Sequence, residues 1–274
     1  MKKTILITGA AGMFGQDACR LFSLWNYEVI AATKSDLDVT NCASIKKFLN
    51  GKEIDFVIHA AAYIKVDDAE TNKDLAFLIN AEGSKNMALA TKEKNIPIIF
   101  ISTDYVFDGT KNAPYFPEDS TNPISVYGAS KLAGEKNIRE INPKHYITRT
   151  SWLYGKHGKN FVDTMLSLAQ KQTSIKVVND QFGCPTWTCD LAEGIKNLIE
   201  KNATFGTYHL CNSGITTWNG LAKKIFEIRN LKIEVLAVTT EEFLRPAPRP
   251  KFSAMNNDNA LRSWEEALAS YLGE

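Results

Sequence analysis

Gly9-Ala10-Ala11-Gly12-Met13-Phe14-Gly15 directly follows a short, largely β-branched run at residues 5–8. Its three glycines stand three residues apart, between an apolar segment typical of a buried parallel strand and a segment, residues 14–25, with helical spacing of apolar residues. In this order the first glycine permits a sharp turn, the second leaves room for a pyrophosphate and the third lets helix and strand pack closely. The stretch therefore predicts a dinucleotide-binding turn, with phosphates on free amides at the positive helix end.

Strands and helices continue to alternate through residues 1–154, which we predict to form a dinucleotide-binding Rossmann domain. The sequence predicts further strands at 27–32, 56–62, 98–102 and 146–151, and helices at 45–49, 75–93 and 126–140. This alternation implies right-handed crossovers and a doubly wound parallel sheet, an α/β fold. Residues 155–274 have shorter strands and more prolines, so they are predicted to form mainly a smaller α/β substrate-binding lobe, with some elements returning to the first domain.

Composition and charge exclude several classes of protein. Lys and Arg total 32 against 31 Asp and Glu, and this balance argues against nucleic acid or an anionic membrane as partner, because both attract a basic excess. No apolar run approaches the roughly 20 residues that span a bilayer. The five cysteines are scattered and lack a Cys-x-x-Cys pair, which favours reduced thiols. We therefore expect a cytoplasmic protein.

Tyr127 and Lys131 stand four residues apart in a predicted helix, so their side chains share one face, about 5–6 Å apart at Cβ. The ammonium is expected to favour the tyrosinate and to lower a phenol pKa that otherwise lies near 10, so that Tyr127 exchanges a proton with a substrate oxygen. Thr103 ends the preceding strand, at the sheet edge where open α/β folds bind ligands, and would bring its hydroxyl to the same oxygen. These three residues are the predicted catalytic set of an NAD(P)H-dependent oxidoreductase.

The choice of cofactor depends on the end of the second strand. An acidic residue there would hold the ribose 2′-hydroxyl of NADH and repel a 2′-phosphate, but the sequence reads Ala31-Ala32-Thr33-Lys34. Lys34 either meets the 2′-phosphate of NADPH or is a solvated loop lysine. NADPH is favoured, and use of both NADPH and NADH stays open.

Longer motifs surround these residues. They are Ser102-Thr103-Asp104-Tyr105-Val106-Phe107-Asp108-Gly109, Val126-Tyr127-Gly128 with Lys131-Leu132-Ala133-Gly134-Glu135, Arg149-Thr150-Ser151-Trp152-Leu153-Tyr154-Gly155, Asn179-Asp180-Gln181-Phe182-Gly183, and Arg249-Pro250. With the glycine turn they resemble the extended short-chain dehydrogenase/reductase family, and within it the dTDP-4-dehydrorhamnose reductase branch, over nearly the whole chain.

The resemblance implies a reaction and a set of site residues. The reaction is NAD(P)H-dependent reduction of the C4 ketone of dTDP-4-dehydro-L-rhamnose to dTDP-L-rhamnose, a nucleotide sugar for polysaccharide biosynthesis, with the proton from Tyr127. The cofactor-binding residues would be Gly9, Gly12, Met13, Phe14, Gly15, Asp38, Val39, Ala60, Ala61, Ala62, Tyr127 and Lys131. The substrate-binding residues would be Thr103, Asp104, Trp152 and Arg249.

Two of these assignments have structural alternatives. Arg249 suits a pyrophosphate clamp, because a guanidinium pairs bidentately with phosphate oxygens, but it also suits a surface ion pair. Trp152 taken alone would be a core residue. Asp67 and Asp68 are interpreted as carboxylates at the start of a helix, where they complement the helix dipole.

The resemblance also raises metal binding and dimerisation. Some bacterial members bind magnesium through glutamates at a dimer contact. Here Asp17 matches one such ligand but Cys189 stands where another would fall, so no structural metal is predicted. A homodimer is left open by the somewhat short carboxyl end.

Two other functions compete with this reading. One is a non-catalytic, NADP-binding regulatory subunit of the same fold, which the complete set of Thr103, Tyr127 and Lys131 disfavours. The other is a reductase, epimerase or dehydratase acting on a different nucleotide sugar. Asp104 is followed by Tyr105 rather than by the glutamate expected of a dehydratase, which disfavours dehydration. The exact sugar and nucleotide base are not fixed by the sequence.

Overall fold

The structure is a computed structural model that describes residues 2–258 and 260–273. Its strands are β1 (Thr4–Thr8), β2 (Glu28–Ala32), β3 (Phe56–His59), β4 (Ile98–Thr103), β5 (His145–Thr150), β6 (Leu153–Tyr154), β7 (Ser174–Val178), β8 (Phe182–Gly183), β9 (Thr186–Trp187), β10 (Gly206–His209), β11 (Thr216–Thr217) and β12 (Glu234–Val238).

The helices flank these strands in sequence. They are α1 (Met13–Leu24), α2 (Cys42–Leu49), α3 (Val66–Ala69), α4 (Lys73–Phe77), α5 (Gly83–Glu93), α6 (Val126–Ile141), α7 (Phe161–Ala169), α8 (Thr188–Glu200), α9 (Trp218–Ile228) and α10 (Trp264–Gly273). A π-helical turn (Leu78–Glu82) joins α4 to α5, and a 3₁₀ turn (Asp104–Val106) follows β4.

Six parallel strands form the central sheet in the order β2-β1-β3-β4-β5-β10. Helices cover both faces, which is why the strands are apolar on both sides. On one face α1 and α8 pack over Ile5 and Ile7, and on the other α2, α5 and α6 pack over Leu6 and Phe100. The predicted Rossmann-type doubly wound sheet is confirmed.

The strand order places a ligand crevice at the carboxyl ends of β1 and β3. The chain leaves β1 toward the α1 face and leaves β3 toward the α5 face, so the two connections diverge between adjacent strands. Ligands of open α/β sheets bind at such a switch point. The glycine turn and Ala60 to Ala62 lie on its two sides.

Much of the second half of the chain has a core of its own. Strands β7 and β12 pair in parallel beside α7, α9 and α10, around Tyr154, Val162, Trp187, Leu221 and Leu268. Two elements of this half lie on the central sheet instead: α8 packs against α1, and β10 pairs with β5.

The bounds of two predicted elements are wrong. Strand β3 ends at His59 instead of residue 62, because the next residues line the crevice. The helix predicted over 75–93 begins at Lys73 and is interrupted by the π-helical turn. There Asn80 donates to Ser130 Oγ (2.9 Å), and Gly134 packs so closely that a Cβ would lie 2.4 Å from the Asn80 carbonyl oxygen.

Within the described residues, no helix combines the length and apolar character needed to cross a membrane.

Candidate active site

A cleft of about 710 Å³ crosses the carboxyl ends of β1, β3, β4 and β5. Its size is in the range of small-molecule and cofactor sites. The residues that line it include Gly9, Gly12, Met13, Phe14, Gly15, Thr33, Lys34, Asp38, Val39, Ala60, Ala61, Ala62, Ile64, Val66, Ser102, Thr103, Asp104, Tyr105, Tyr127, Lys131, Thr150, Ser151, Trp152 and Trp218.

The glycine turn closes one end of the cleft and needs its glycines for space. Gly9 has a φ of 68°, and a Cβ there would lie 2.7 Å from the amide nitrogen of Ala61. A Cβ at Gly15 would lie 2.2 Å from the carbonyl oxygen of Gly9. Gly12 is the N-cap of α1 and provides no side-chain cap, so the first amides of the helix are available to an anion. The turn therefore fits a pyrophosphate.

The loop after β2 presents a lysine to the cleft while its carboxylates bond to their own loop. Asp36 accepts hydrogen bonds from the amide (2.9 Å) and hydroxyl (2.6 Å) of Thr33, and Asp38 accepts from the hydroxyl (2.7 Å) and amide (3.0 Å) of Thr40. These bonds lower the pKa of both carboxyls. Lys34 lines the same part of the cleft.

The first turn of α6 fixes Tyr127. Ser125 caps the helix by accepting from the amide of Gly128 (3.2 Å). A Cβ at Gly128 would lie 2.1 Å from the carbonyl oxygen of Tyr105, so only glycine lets α6 approach the turn after β4 this closely. The Tyr127 ring consequently lies edge-on to the Tyr105 ring, with centroids 5.7 Å apart.

Lys131 is buried one helical turn after Tyr127. Its ammonium donates to the carbonyl oxygen of Ile101 (2.7 Å) and lies 4.1 Å from the centroid of the Phe100 ring. Burial lowers the pKa of Lys131 to about 7, against the opposing effect of Glu135. The group is therefore close to its midpoint at neutral pH.

The expected acidification of Tyr127 by Lys131 is wrong for this structure. Burial raises the Tyr127 pKa to about 12; a hydrogen bond with Thr103 lowers it, and the charge of Asp104 raises it further. A phenol with this pKa keeps its proton at neutral pH, as a proton donor must.

Thr103 and Asp104 form a hydrogen-bonded unit at the end of β4. The Thr103 hydroxyl accepts from the amide of Tyr105 (3.2 Å) and donates to Asp104 (3.1 Å), whose other oxygen accepts from the Ser253 hydroxyl (2.5 Å). Burial raises the pKa of Asp104 to about 7 against these bonds. Ser253 thus brings the carboxyl-terminal segment to the end of β4.

Two tryptophans form the wall of the cleft opposite the glycine turn. The Trp152 and Trp218 rings are stacked, with centroids 3.6 Å apart and planes 6° apart. Trp152 has a φ of 46°, a strained backbone for a large side chain, and a Cβ at Gly183 would lie 2.5 Å from its ring. The strand end, the stacking and the glycine together fix the indole.

Arg249 lies outside the residues that line the cleft. Its two terminal nitrogens donate to the two carboxylate oxygens of Asp67, at 2.5 and 3.0 Å. Of the two sequence alternatives, the structure has the ion pair. The interpretation of Asp67 as a helix-start carboxylate is incomplete, because Asp67 is also the partner of Arg249.

All other predicted site residues line the cleft. The residues predicted to bind the cofactor are Gly9, Gly12, Met13, Phe14, Gly15, Asp38, Val39, Ala60, Ala61, Ala62, Tyr127 and Lys131. Thr103, Asp104 and Trp152 lie at the substrate end. Sequence reasoning missed Tyr105 and Trp218 as lining residues. Tyr105 had a signal, since it stands two residues after the end of β4, whereas Trp218 comes from the other half of the chain and had none.

The two residues considered for metal binding, Asp17 and Cys189, each accept a hydrogen bond. Asp17 is buried in α1 and accepts from the Thr188 hydroxyl (2.6 Å), while Cys189 accepts from Arg20 (3.5 Å). Across residues 2–258 and 260–273, no three His, Cys, Asp or Glu side chains are grouped to hold a metal ion.

Comparisons with known proteins agree with this geometry. The family described as "RmlD substrate binding domain" matches residues 1–274. The spore coat polysaccharide biosynthesis protein SpsK of Bacillus subtilis is 40% identical over 98% of this chain and 97% of its own. The solved dTDP-4-dehydrorhamnose reductase of Clostridium acetobutylicum is 43% identical, with a TM-score of 0.95 over 98% of each chain. That of Bacillus anthracis, solved in complex with NADP, is 42% identical, with a TM-score of 0.96 over 99% of each chain.

The match spans the whole chain, and the glycine turn, Tyr127, Lys131 and Thr103 meet in one cleft. The chain therefore belongs to the RmlD substrate-binding domain family, to which it is similar in sequence and in fold from end to end.

Proposed function

We propose that the chain is an NAD(P)H-dependent reductase of the C4 ketone of dTDP-4-dehydro-L-rhamnose, forming dTDP-L-rhamnose. The observation that carries the proposal is the convergence of Tyr127, Lys131 and Thr103 on one end of a cleft whose other end is the glycine turn. The names of the similar enzymes support the choice of a dTDP-bound 4-keto sugar.

The residues of the chain divide the chemistry among themselves. A bound reduced dinucleotide supplies the hydride. Tyr127 holds a proton at neutral pH and donates it to the carbonyl oxygen as negative charge develops there. Thr103 orients that oxygen by a hydrogen bond, and the Lys131 ammonium stabilises the phenolate that is left.

NADPH is the proposed cofactor, with NADH as a second candidate. Lys34 lines the cleft beyond the glycine turn, and the neighbouring carboxylates of Asp36 and Asp38 are engaged with their own loop. A lysine at the end of the second strand suits the 2′-phosphate of NADPH. The NADP complex of the Bacillus anthracis relative supports this choice.

The sugar nucleotide is proposed to lie between Thr103 and the stacked tryptophans. Asp104 and Trp152 would hold the sugar ring, and Arg249 would pair with the pyrophosphate after leaving its present partner. A guanidinium suits this task because it forms two parallel hydrogen bonds to phosphate oxygens.

The test is NADPH oxidation with dTDP-4-dehydro-L-rhamnose. We expect stoichiometric oxidation by the wild type, and a loss in kcat of about 10²- to 10⁴-fold for Tyr127→Phe, because the phenyl ring has no proton to donate. Tyr208→Phe, in β10 and remote from the cleft, is the control with unchanged kcat. Undiminished turnover by Tyr127→Phe would refute the assigned donor.

Two further outcomes of this assay separate the alternatives. Binding of NADP without turnover of any dTDP-4-keto sugar would favour the regulatory subunit. Conversion of a nucleotide sugar without net consumption of NADPH would favour an epimerase, since an epimerase returns the hydride to its substrate.

A further inference from the structure

The ion pair between Arg249 and Asp67 joins two distant parts of the chain. Asp67 is in α3, just after the crevice-forming end of β3, and Arg249 is in residues 239–250, the segment after β12, here called the strap. Besides its two bonds from Arg249, Asp67 accepts from the amide of Ala247 (3.1 Å), and Arg249 donates to the carbonyl oxygen of Ala247 (2.7 Å). Asp67 therefore holds the strap through both its backbone and its arginine.

This pair lies beside the substrate end of the cleft. Val66, next to Asp67, and Tyr105 both line the cleft, and the charge of Arg249 acts on the Tyr105 phenol and lowers its pKa against the effect of burial. The Arg249 and Asp67 side chains are 16% and 32% exposed, so the pair is accessible to a ligand and only partly shielded from water. A nucleotide sugar extending past Tyr105 would meet this guanidinium.

The bonding of Arg249 matches what a phosphate would require. Asp67 takes one N–H from each terminal nitrogen, the end-on bidentate arrangement that a phosphate also uses. With the bond to Ala247, three of the five N–H donors are engaged. A diphosphate cannot take the same fork while the carboxylate stays on it.

We infer that Asp67 is a displaceable counter-ion: the diphosphate of the nucleotide sugar replaces it as the partner of Arg249. The inference rests on the proposed function, since it assumes a ligand with a diphosphate. Asp67 then acts as a specificity-determining residue: a ligand without phosphates gains nothing from the exchange. The same exchange releases the strap from α3.

The charge state of Asp67 supports the exchange. Its hydrogen bond with Arg249 lowers the Asp67 pKa, and the positive charges of Arg249 and Arg245 lower it further. Asp67 is therefore an anion at neutral pH and competes with a phosphate for the guanidinium. The apparent affinity for the phosphate ligand is the affinity of the form with a free Arg249, multiplied by the fraction of molecules in that form.

Calorimetric titration with dTDP and with thymidine tests the competition. We expect Asp67→Asn to bind dTDP roughly tenfold more tightly than the wild type, the gain that follows if Arg249 is free about a tenth of the time. Its affinity for thymidine should not change. Asp68→Asn, the neighbouring carboxylate bonded to Tyr63 and Asn72, is the matched control and should behave as wild type.

Arg249→Gln completes the cycle. It should weaken dTDP binding, and the double variant with Asp67→Asn should show no gain over Arg249→Gln alone. Weaker dTDP binding by Asp67→Asn would mean that Asp67 orients Arg249 for the ligand, and unchanged binding would mean that Arg249 does not meet it. Either result overturns the inference.

Hydrogen exchange provides an independent readout. Pro246, Pro248 and Pro250 have no amide hydrogen, so a peptide across this part of the strap reports few amides, among them that of Ala247. Saturation with dTDP should speed exchange at Ala247 in the wild type, where its acceptor is Asp67. Undiminished protection would contradict release of the strap. None of these measurements requires turnover, so a wild type that fails to oxidise NADPH would refute the proposed function alone.

Discussion

Lys131 is a buried lysine with few polar neighbours. Its ammonium donates to one carbonyl oxygen and lies against one aromatic ring, and burial lowers its pKa to about 7 against the opposing effect of Glu135. The unfolded chain has no such constraint and binds the proton up to pH of about 10.4. The protonation of this one residue therefore couples the folding equilibrium to pH.

The sign of this coupling is fixed by the direction of the shift. Between pH 7 and about 10 the unfolded chain binds the proton more strongly than the folded chain, so the Lys131 contribution to the unfolding free energy grows as the pH rises. We expect wild type to gain on the order of 3 kcal/mol relative to Lys131→Met across this window. Urea unfolding at a series of pH values measures it.

Lys136→Met is the control, because Lys136 is exposed on the same helix. Its unfolding free energy should stay parallel to that of the wild type at every pH. Parallel curves for Lys131→Met as well would show that the lysine is hydrated in the folded state.

At this scale the sequence predicts positions better than charge states. The spacing of Tyr127 and Lys131 was sufficient to place both in the cleft, since four residues are one helical turn. The pKa values were not predictable, because they depend on burial beneath other elements and on the charges of Glu135 and Asp104.

Among the elements, the position of α1 depends on glycine at residue 15. Its start approaches β1 so closely that a Cβ at Gly15 would lie 2.2 Å from the Gly9 carbonyl oxygen and 2.8 Å from the Ala10 Cα. Neither atom belongs to a flexible side chain, so a larger residue must move the helix. The position of the helix end, where a pyrophosphate would bind, is thereby tied to one glycine.

Gly15→Ala should displace α1 and cost about 1–3 kcal/mol of unfolding free energy, as overpacking does. It should also weaken NADPH binding by at least about tenfold, because a small shift misaligns the amides of the helix end. Fluorescence titration and urea unfolding measure the two effects.

Gly273→Ala, where a Cβ would meet nothing within 4 Å, is the control and should leave both quantities unchanged. Normal NADPH affinity in Gly15→Ala would show that the turn is not the pyrophosphate site.

The elements that the sequence predicted poorly are those shaped by distant contacts. Apolar periodicity identified one helix through residues 75–93, but the π-helical turn within it fits Asn80 to Tyr63 and Ser130, and a periodicity contains no information on such partners. The predicted third strand ran three residues past the end of β3, because small apolar residues suit a strand and a crevice wall equally well.

At the scale of the whole molecule, a buried ion pair joins the helix layer to the sheet. Arg149 donates to both oxygens of Glu135 at 2.9 and 2.8 Å, the Ser102 hydroxyl donates to the same carboxylate at 2.5 Å, and Arg149 also reaches the carbonyl oxygen of Pro117. Both charged residues are almost fully buried. Ser102 and Arg149 each stand one residue before the end of their strand, β4 and β5 respectively.

Arg149→Met should destabilise the protein by about 3–5 kcal/mol, because it removes the buried counter-charge of Glu135 and leaves that carboxylate the half-exposed Arg139, 3.7 Å away. The double variant with Glu135→Met should recover most of that loss, since it removes both charges. The measurement is urea unfolding of both variants. A cost for Arg149→Met below about 1 kcal/mol would show that water compensates the carboxylate.

Lys196→Met provides the comparison with an exposed pair. Lys196 pairs with Glu200 on the surface of α8, and its loss should cost less than about 1 kcal/mol.

The sequence predicted the sheet class and most of the cleft because both follow from local order: a strand, a turn and a helix repeated along the chain. It could not predict the pairing of Arg249 with Asp67 or of Trp152 with Trp218. Each joins residues that only the complete tertiary fold brings together. The substrate end of the cleft was therefore the less predictable end.

The bare amino end of α1 has one more consequence. Gly12 supplies no side-chain oxygen to the leading amides of that helix, so an arriving anion completes hydrogen bonding that α2, α6, α7 and α9 obtain from their own N-cap side chains. The thermal stability then depends on the nucleotide concentration: a nucleotide at a hundred times its Kd adds about 2.7 kcal/mol to the unfolding free energy. The stability of the enzyme against unfolding should therefore rise and fall with the concentration of its coenzyme.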